Sequence, residues 1–325
     1  MRNRALSLSL PLVAALLLAP AASAVNIEWV TVAAPGNVAA ETGFGLVAYT
    51  YQISKYEVTN TQYAEFLNAV AAADPNGLYV TSMGSGVGGI SRSGSSGSFT
   101  YSALASRGNM PVNYISFYDS IRFANWLHNG QPTGAQGSST TEDGAYTITA
   151  AGISANSIAR NAGATIFLTS ENEWYKAAYY EAVSGSYYEF PAGSDVQTDC
   201  DSPGAGANTA NCAYGDLTDV GSYTGSPSPW GTFDQGGNVF EWNESTSGAY
   251  RRIKGGGYRH GPLFLAASWV YGDPPTNEED YYGFRVAQIP EPGTGLLVMT
   301  GLLVLVYRQR RHGCVTYDTV APGLS

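Results

Sequence analysis

The sequence predicts a loop-rich α+β domain, and three observations carry that prediction. Three segments open with a helix-capping pattern and continue with apolar residues at helical spacing. Between them the apolar stretches are short and are broken by Gly, Pro, Asn and Ser. With 39 Gly and 16 Pro in 325 residues, the chain is punctuated too often for long regular elements. No internal repeat is visible, and the pattern is neither a regular strand–helix alternation nor an evenly spaced barrel.

The chain opens with Met1, Arg2, Asn3 and Arg4, then an apolar run from Leu8 to Leu18 and small residues up to Ala24. A basic start, a short apolar run and a small-x-small site make a secretory signal peptide over residues 1–24. A buried N-terminal helix is the alternative. Residues 25–289 then remain as one large domain.

The first helix start is Thr59-Asn60-Thr61-Gln62, followed by Tyr63, Phe66, Leu67 and Val70 on one face. A side-chain oxygen and an amide there satisfy free backbone N–H groups. Residues 82–102 are rich in Gly and Ser and read as a flexible insertion. Ser116 to Asp119 opens a second helix, with Phe117, Ile121, Ala124 and Leu127 as its apolar face. Ser170 to Glu173 opens the third, with Trp174, Ala177 and Ala178 facing inward. Residues 129–164 and 191–222 read as long polar connections.

Past the body stands Pro290-Glu291-Pro292, then an apolar run from Gly295 to Tyr307, then Arg308, Arg310 and Arg311. The run is shorter than the about 20 residues of a full span. The arginines hold its end on the cytoplasmic side. An ordinary single-pass anchor is one reading of residues 290–311, and residues 312–325 form a C-terminal tail.

Charged residues are 13% of the chain and the formal net charge is -10. An acidic chain of this kind has no electrostatic footprint for nucleic acid. Of the three cysteines, Cys200 and Cys212 lie close together in a Gly/Asn-rich stretch. Export to an oxidising compartment favours a disulfide between them, with two free thiols as the alternative. Cys314 lies beyond the anchor. The abundant aromatics, among them Tyr179, Tyr180, Tyr187, Tyr188, Trp230, Trp269, Tyr281 and Tyr282, serve either as core or as stacking surfaces for sugars or peptides.

Six segments then fall in a recognisable order. They are Tyr51 to Asn60, Pro111 to Leu127, Leu168 to Ala178, Gly231 to Trp242, Lys254 to Tyr258 and Gly283 to Ala287. Together they resemble the formylglycine-generating enzyme (sulfatase-modifying factor) family. The C-terminal order of Pro-Glu-Pro, apolar run and arginines resembles the PEP-CTERM sorting signal read by an exosortase. The first resemblance implies a C-type-lectin-like fold with short strands and about three helices. The second implies export, a transient inner-membrane anchor facing the periplasm, and delivery to the cell surface.

The family converts a substrate cysteine to formylglycine with a redox cysteine pair and copper. Soft thiolates suit Cu(I), so the chemistry needs both sulfurs. The matching positions here fall near Gly261 and near Ala266, and the interval from Tyr258 to Tyr282 holds no cysteine. Copper is therefore not expected. A second branch uses histidine-ligated iron, but the body holds only His128 and His260. Asp234, Gly237, Val239 and Glu241 match a structural calcium site of the family. Two carboxylates and two carbonyls in one tight loop suit a hard cation. In the alternative, Asp234 caps backbone N–H groups and Glu241 pairs with an arginine. The expectation is a non-catalytic module of the cell envelope with a polysaccharide or protein ligand. The alternative is a formylglycine-generating oxidoreductase acting on exported sulfatases.

Overall fold

The structure, a computed structural model, describes residues 24–290 with the exception of Tyr214. The expected leader up to Ser23, the sorting signal after Pro290 and the tail lie outside the described residues. The helices are α1 (Asn60–Val70), α2 (Phe117–His128), α3 (Ala150–Ser154) and α4 (Glu171–Tyr179). The first nine strands are β1 (Trp29–Val32), β2 (Tyr51–Ser54), β3 (Ile90–Ser93), β4 (Thr100–Ala103), β5 (Ile166–Leu168), β6 (Tyr180–Glu181), β7 (Ser186–Tyr187), β8 (Asp199–Cys200) and β9 (Thr209–Ala210). The remainder are β10 (Phe240–Ser247), β11 (Tyr250–Lys254), β12 (Tyr271–Asp273), β13 (Tyr282–Gly283) and β14 (Val286–Gln288).

Each of the three anticipated helices begins where its capping box predicts. Thr59 accepts from the Gln62 N–H, Ser116 from that of Asp119 and Ser170 from that of Glu173, and each third residue bonds back to the cap backbone. The predicted apolar faces are buried in full: Tyr63, Phe66, Leu67 and Val70 on α1, Phe117, Ile121, Ala124 and Leu127 on α2, Trp174, Ala177 and Ala178 on α4. The single-turn α3 was not anticipated. It lies inside the long polar connection and is capped by Thr149 alone.

Two small sheets organise the body. One runs β1-β2-β14-β5, antiparallel throughout, so the last described strand is inserted beside the second. The other runs β12-β11-β10-β13, in which β10 and β13 are parallel. Between them the rings of Tyr63, Phe66, Phe123, Trp126 and Phe284 form an aromatic core, with Phe66 and Phe123 edge to face at 5.3 Å. Aromatic pairs of this geometry add about 0.5–1.5 kcal/mol beyond their area.

The expectation of a flexible insertion at residues 82–102 is corrected. The segment folds as the β3–β4 hairpin against α1, with Ile90 and Tyr101 buried. The Asn68 side chain makes both hydrogen bonds to the Tyr101 backbone, and the Tyr101 hydroxyl donates to the Ala71 carbonyl. Its serines and the glycines of the hairpin turn, Gly94 and Gly97, lie outside the core and hid the alternation of a strand, whereas Gly88 and Gly89 are buried.

Candidate functional site

The motif segments meet at one buried charge pair. Pairing of β10 with β13 sets Glu241 beside Gly283 and so brings Arg285 to it from the far end of the chain. Arg285 Nε donates to Glu241 Oε2 at 2.6 Å and Nη2 donates to Oε1 at 2.7 Å, with both side chains fully buried. Trp174 Nε1, from α4, donates to the same Oε2 at 2.6 Å. The remaining guanidinium hydrogens go to the carbonyls of Ser54, Lys55 and Phe233. Four separated segments are thereby tied to one cation.

Asp234 and Glu57 are buried beside this pair. Asp234 Oδ2 accepts from the Gly221 N–H at 2.6 Å. Glu57 accepts from the Val239 N–H and from the Asn238 amide. Burial pushes the Asp234 carboxyl up to about 6. Burial, reinforced by Asp234 and Glu241, pushes Glu57 well above the usual carboxylate range.

The expected calcium ligands can be placed on this geometry. Asp234, Gly237, Val239 and Glu241 do share one turn, and Gly237 has φ +92°, where a Cβ would stand 2.5 Å from the Asn211 carbonyl oxygen. Both Glu241 oxygens, however, already face a guanidinium, and Asp234 caps a backbone N–H. Among the described residues no group of three or more His, Cys, Asp and Glu is arranged to hold a metal ion. The arrangement has the contacts of the alternative reading, with Asp234 capping a backbone N–H and Glu241 paired with Arg285.

The region expected to match the family's thiols is a short 3-10 turn, Pro262–Leu265, with Gly261 before it and Ala266 after it. Gly256 lets it pack close, since a Cβ there would stand 2.7 Å from Leu265 Cδ1. Cys200 and Cys212 are joined in a disulfide with Cα atoms 4.8 Å apart. Although distant in sequence, they share one apolar cluster with Leu265, Ala266 and Phe190. Cys212 is fully buried. The two histidines of the body do not converge. His128 Nδ1 accepts from the Thr165 N–H, whereas His260 lies among Phe240, Phe264 and Tyr281.

Immediately after Ala266 the chain lines an open cleft of about 460 Å³. Its floor is Ala267 and Ser268, held by Lys254, whose buried Nζ donates to the Ala267 and Trp269 carbonyls. Burial lowers that ammonium to about 8. One wall is the 38–42 loop, pinned by Asn37 to Gly45, Val47 and Tyr187 and by Thr42 to the Tyr175 hydroxyl. The other wall is Ser186 to Glu189. Of the aromatics flagged in the sequence, Tyr179, Tyr180 and Tyr282 are buried core, whereas Tyr187 and Tyr188 are half-buried on this wall.

A second ionic knot was missed in the sequence. Arg160 bridges Glu173 and Glu244, both at 2.7 Å, and Tyr146 donates to Glu244. Its only advance signal is a lone arginine in a polar stretch of a chain poor in charge.

Comparison with known proteins agrees with this architecture. Residues 33–289 match the sulfatase-modifying factor enzyme 1-like domain (FGE-sulfatase), and residues 288–311 match the PEP-CTERM protein-sorting motif. A curated relative, hercynine oxygenase of Mycolicibacterium smegmatis (strain ATCC 700084 / mc(2)155), is 28% identical over 144 residues, 37% of this chain. The chain spans about a third of that relative's length, 32%. Among solved structures, that of CarF superposes with a TM-score of 0.53 at 21% identity, covering 82% of this chain and 99% of the other. Treponema denticola variable protein 1 superposes with a TM-score of 0.50 at 17% identity, covering 83% and 98%. These structures show the fold. The sorting motif points to export and to recognition by an exosortase. The chain belongs to the sulfatase-modifying factor enzyme 1-like family, and it carries that domain ahead of a PEP-CTERM sorting motif.

Proposed function

We propose that the protein is a non-catalytic binding module of the cell envelope, anchored transiently in the inner membrane and then released to the surface. What supports this reading is an intact family scaffold with Gly261 and Ala266 near the expected thiol positions, beside an open cleft. Copper chemistry of the family type needs two converging sulfurs. Neither side chain at those positions offers one. Arg285 gives that scaffold cohesion by holding Glu241, Ser54, Lys55 and Phe233. The ligand is an envelope polysaccharide or protein, received by the cleft at Ala267 and Ser268. The test is retention of the exported body, residues 25–289, on envelope fractions. Retention on matrix polysaccharide or a surface protein supports the module, and no retention on any fraction contradicts it.

A second reading has one observation in its favour. The Cys200–Cys212 disulfide packs in the same cluster as Ala266, so a sulfur pair does stand near the family's thiol position. An oxidoreductase built on that pair would be a relocated version of the family chemistry. The full burial of Cys212 weighs against it, because thiol exchange needs an accessible sulfur.

A further inference from the structure

The cleft at Ala267 and Ser268 has a one-sided chemistry. The charged side chains that line it, Glu41 and Glu189, are both acidic. Glu189 is held in place through one oxygen, which accepts from the Ser268 N–H and hydroxyl, and its second oxygen makes neither of these bonds. Glu41 is exposed, and neither its carboxylate nor the Tyr188 hydroxyl takes a hydrogen-bond partner among the described residues. No basic side chain lines the cleft itself: Lys254 lies beneath the floor, where it feels Glu189 but donates to the Ala267 and Trp269 carbonyls, and Lys176 donates to the Ala34 carbonyl.

Beside the carboxylates stand half-buried ring faces, Tyr187 and Tyr188, with Ser186, Ser268 and Thr42 hydroxyls around them. Tyr187 cannot swing away, because its hydroxyl donates to the Val38 carbonyl and its ring packs on Tyr175 and Tyr180 at 5.5 and 4.9 Å. Fixed rings and hydroxyls suit a sugar, whose apolar face stacks and whose hydroxyls bond laterally. A peptide added as a strand needs a run of free backbone groups at a sheet edge. The wall strand here, β7, has only two residues, too short to offer such a run. A preformed wall also lowers the ordering cost of binding.

We infer that this cleft takes a cationic, amine-bearing glycan, with the ammonium between Glu41 and Glu189 and a ring on Tyr188. The inference rests on the binding-module reading and names its ligand class. An ammonium facing two carboxylates gains charge-assisted hydrogen bonds, and part of that gain is lost to salt because Glu41 is exposed.

The test is calorimetric titration of residues 25–289 with three probes: a glucosamine oligosaccharide, its N-acetylated counterpart and a lysine oligopeptide. The glucosamine oligosaccharide is expected to bind about tenfold more tightly than the N-acetylated one, as befits a hydrogen bond to a charged group. Glu41→Gln is expected to weaken binding roughly threefold, the scale of an exposed ion pair. Tyr188→Ala should abolish the preference for sugar over the lysine peptide. An unchanged melting temperature in both variants separates lost contacts from lost fold. Equal binding of the amine and N-acetyl sugars overturns the cationic inference and leaves the module standing. Binding of the lysine peptide alone overturns the glycan class. If no probe binds but an envelope fraction retains the protein, the inference fails while the module stands. If nothing binds and no fraction retains it, both fail.

Discussion

Arg285 uses every N–H of its guanidinium inside the protein, and its carboxylate partner is equally enclosed. Removing one side of such a pair leaves an uncompensated buried charge, which costs about 3–5 kcal/mol. Arg285→Met should therefore lower the denaturation midpoint far more than Lys55→Met, whose exposed pair with Glu28 is worth about 0–1 kcal/mol. Urea denaturation of both variants checks the ranking. The same geometry argues that calcium adds nothing at Asp234, Gly237, Val239 and Glu241. Millimolar calcium and a chelator should give the same melting temperature, whereas a calcium-dependent rise would restore the ion to that turn.

Buried carboxyls also set a pH dependence. Asp234 and Asp119 both titrate at about 6 in the fold, raised by burial from 3.8, and Glu57 is raised further. Between their unfolded and folded values the native state binds more protons, so stability falls as pH rises. Glu173 behaves oppositely. Burial opposes its ionisation, but Arg160 and Tyr49 outweigh that and hold it below its ordinary 4.5, so its contribution is lost as pH falls through that lowered value. The melting temperature should be higher at pH 4.5 than at pH 6, because the two aspartates dominate that window. A rise on going from pH 4.5 to pH 6 would contradict this assignment.

At the level of elements, the helices were readable because their start signals are local. Thr59 with Gln62, Ser116 with Asp119 and Ser170 with Glu173 each close a box within one turn. The sheets were not readable, for a different physical reason. Their strands run to two, three or four residues except β10 and β11, and partners such as β2 and β14 are brought together by the whole fold. The β3–β4 hairpin shows how composition misleads. A single inward Ile90 and Tyr101 anchor a segment that reads as low complexity. The disulfide was anticipated from compartment rather than geometry, and it joins β8 to the chain just after β9. Replacing both Cys200 and Cys212 by Ala should cost about 2–3 kcal/mol through the freed unfolded chain. Thermal unfolding with and without reductant checks it. Reductant should destabilise the native protein and leave the double variant unchanged.

For the molecule as a whole, motif order carried the family and the sorting signal, since both are strings in sequence. The cleft was not legible, because its walls come from residues 38–42, 186–189 and 267–268, which no local pattern links. Nor was the closeness of the disulfide to Ala266, which arises when the 3-10 turn folds over it. That closeness makes the central claim open to direct test. Residues 25–289 would be supplied with copper, reductant, oxygen and a peptide carrying Cys-x-Pro-x-Arg, and mass spectrometry would look for the aldehyde. A folded sample that yields no aldehyde is the result predicted for a binding module. Aldehyde formation that is lost in the Cys200→Ala, Cys212→Ala double variant would contradict it and place the family's chemistry on the relocated sulfurs.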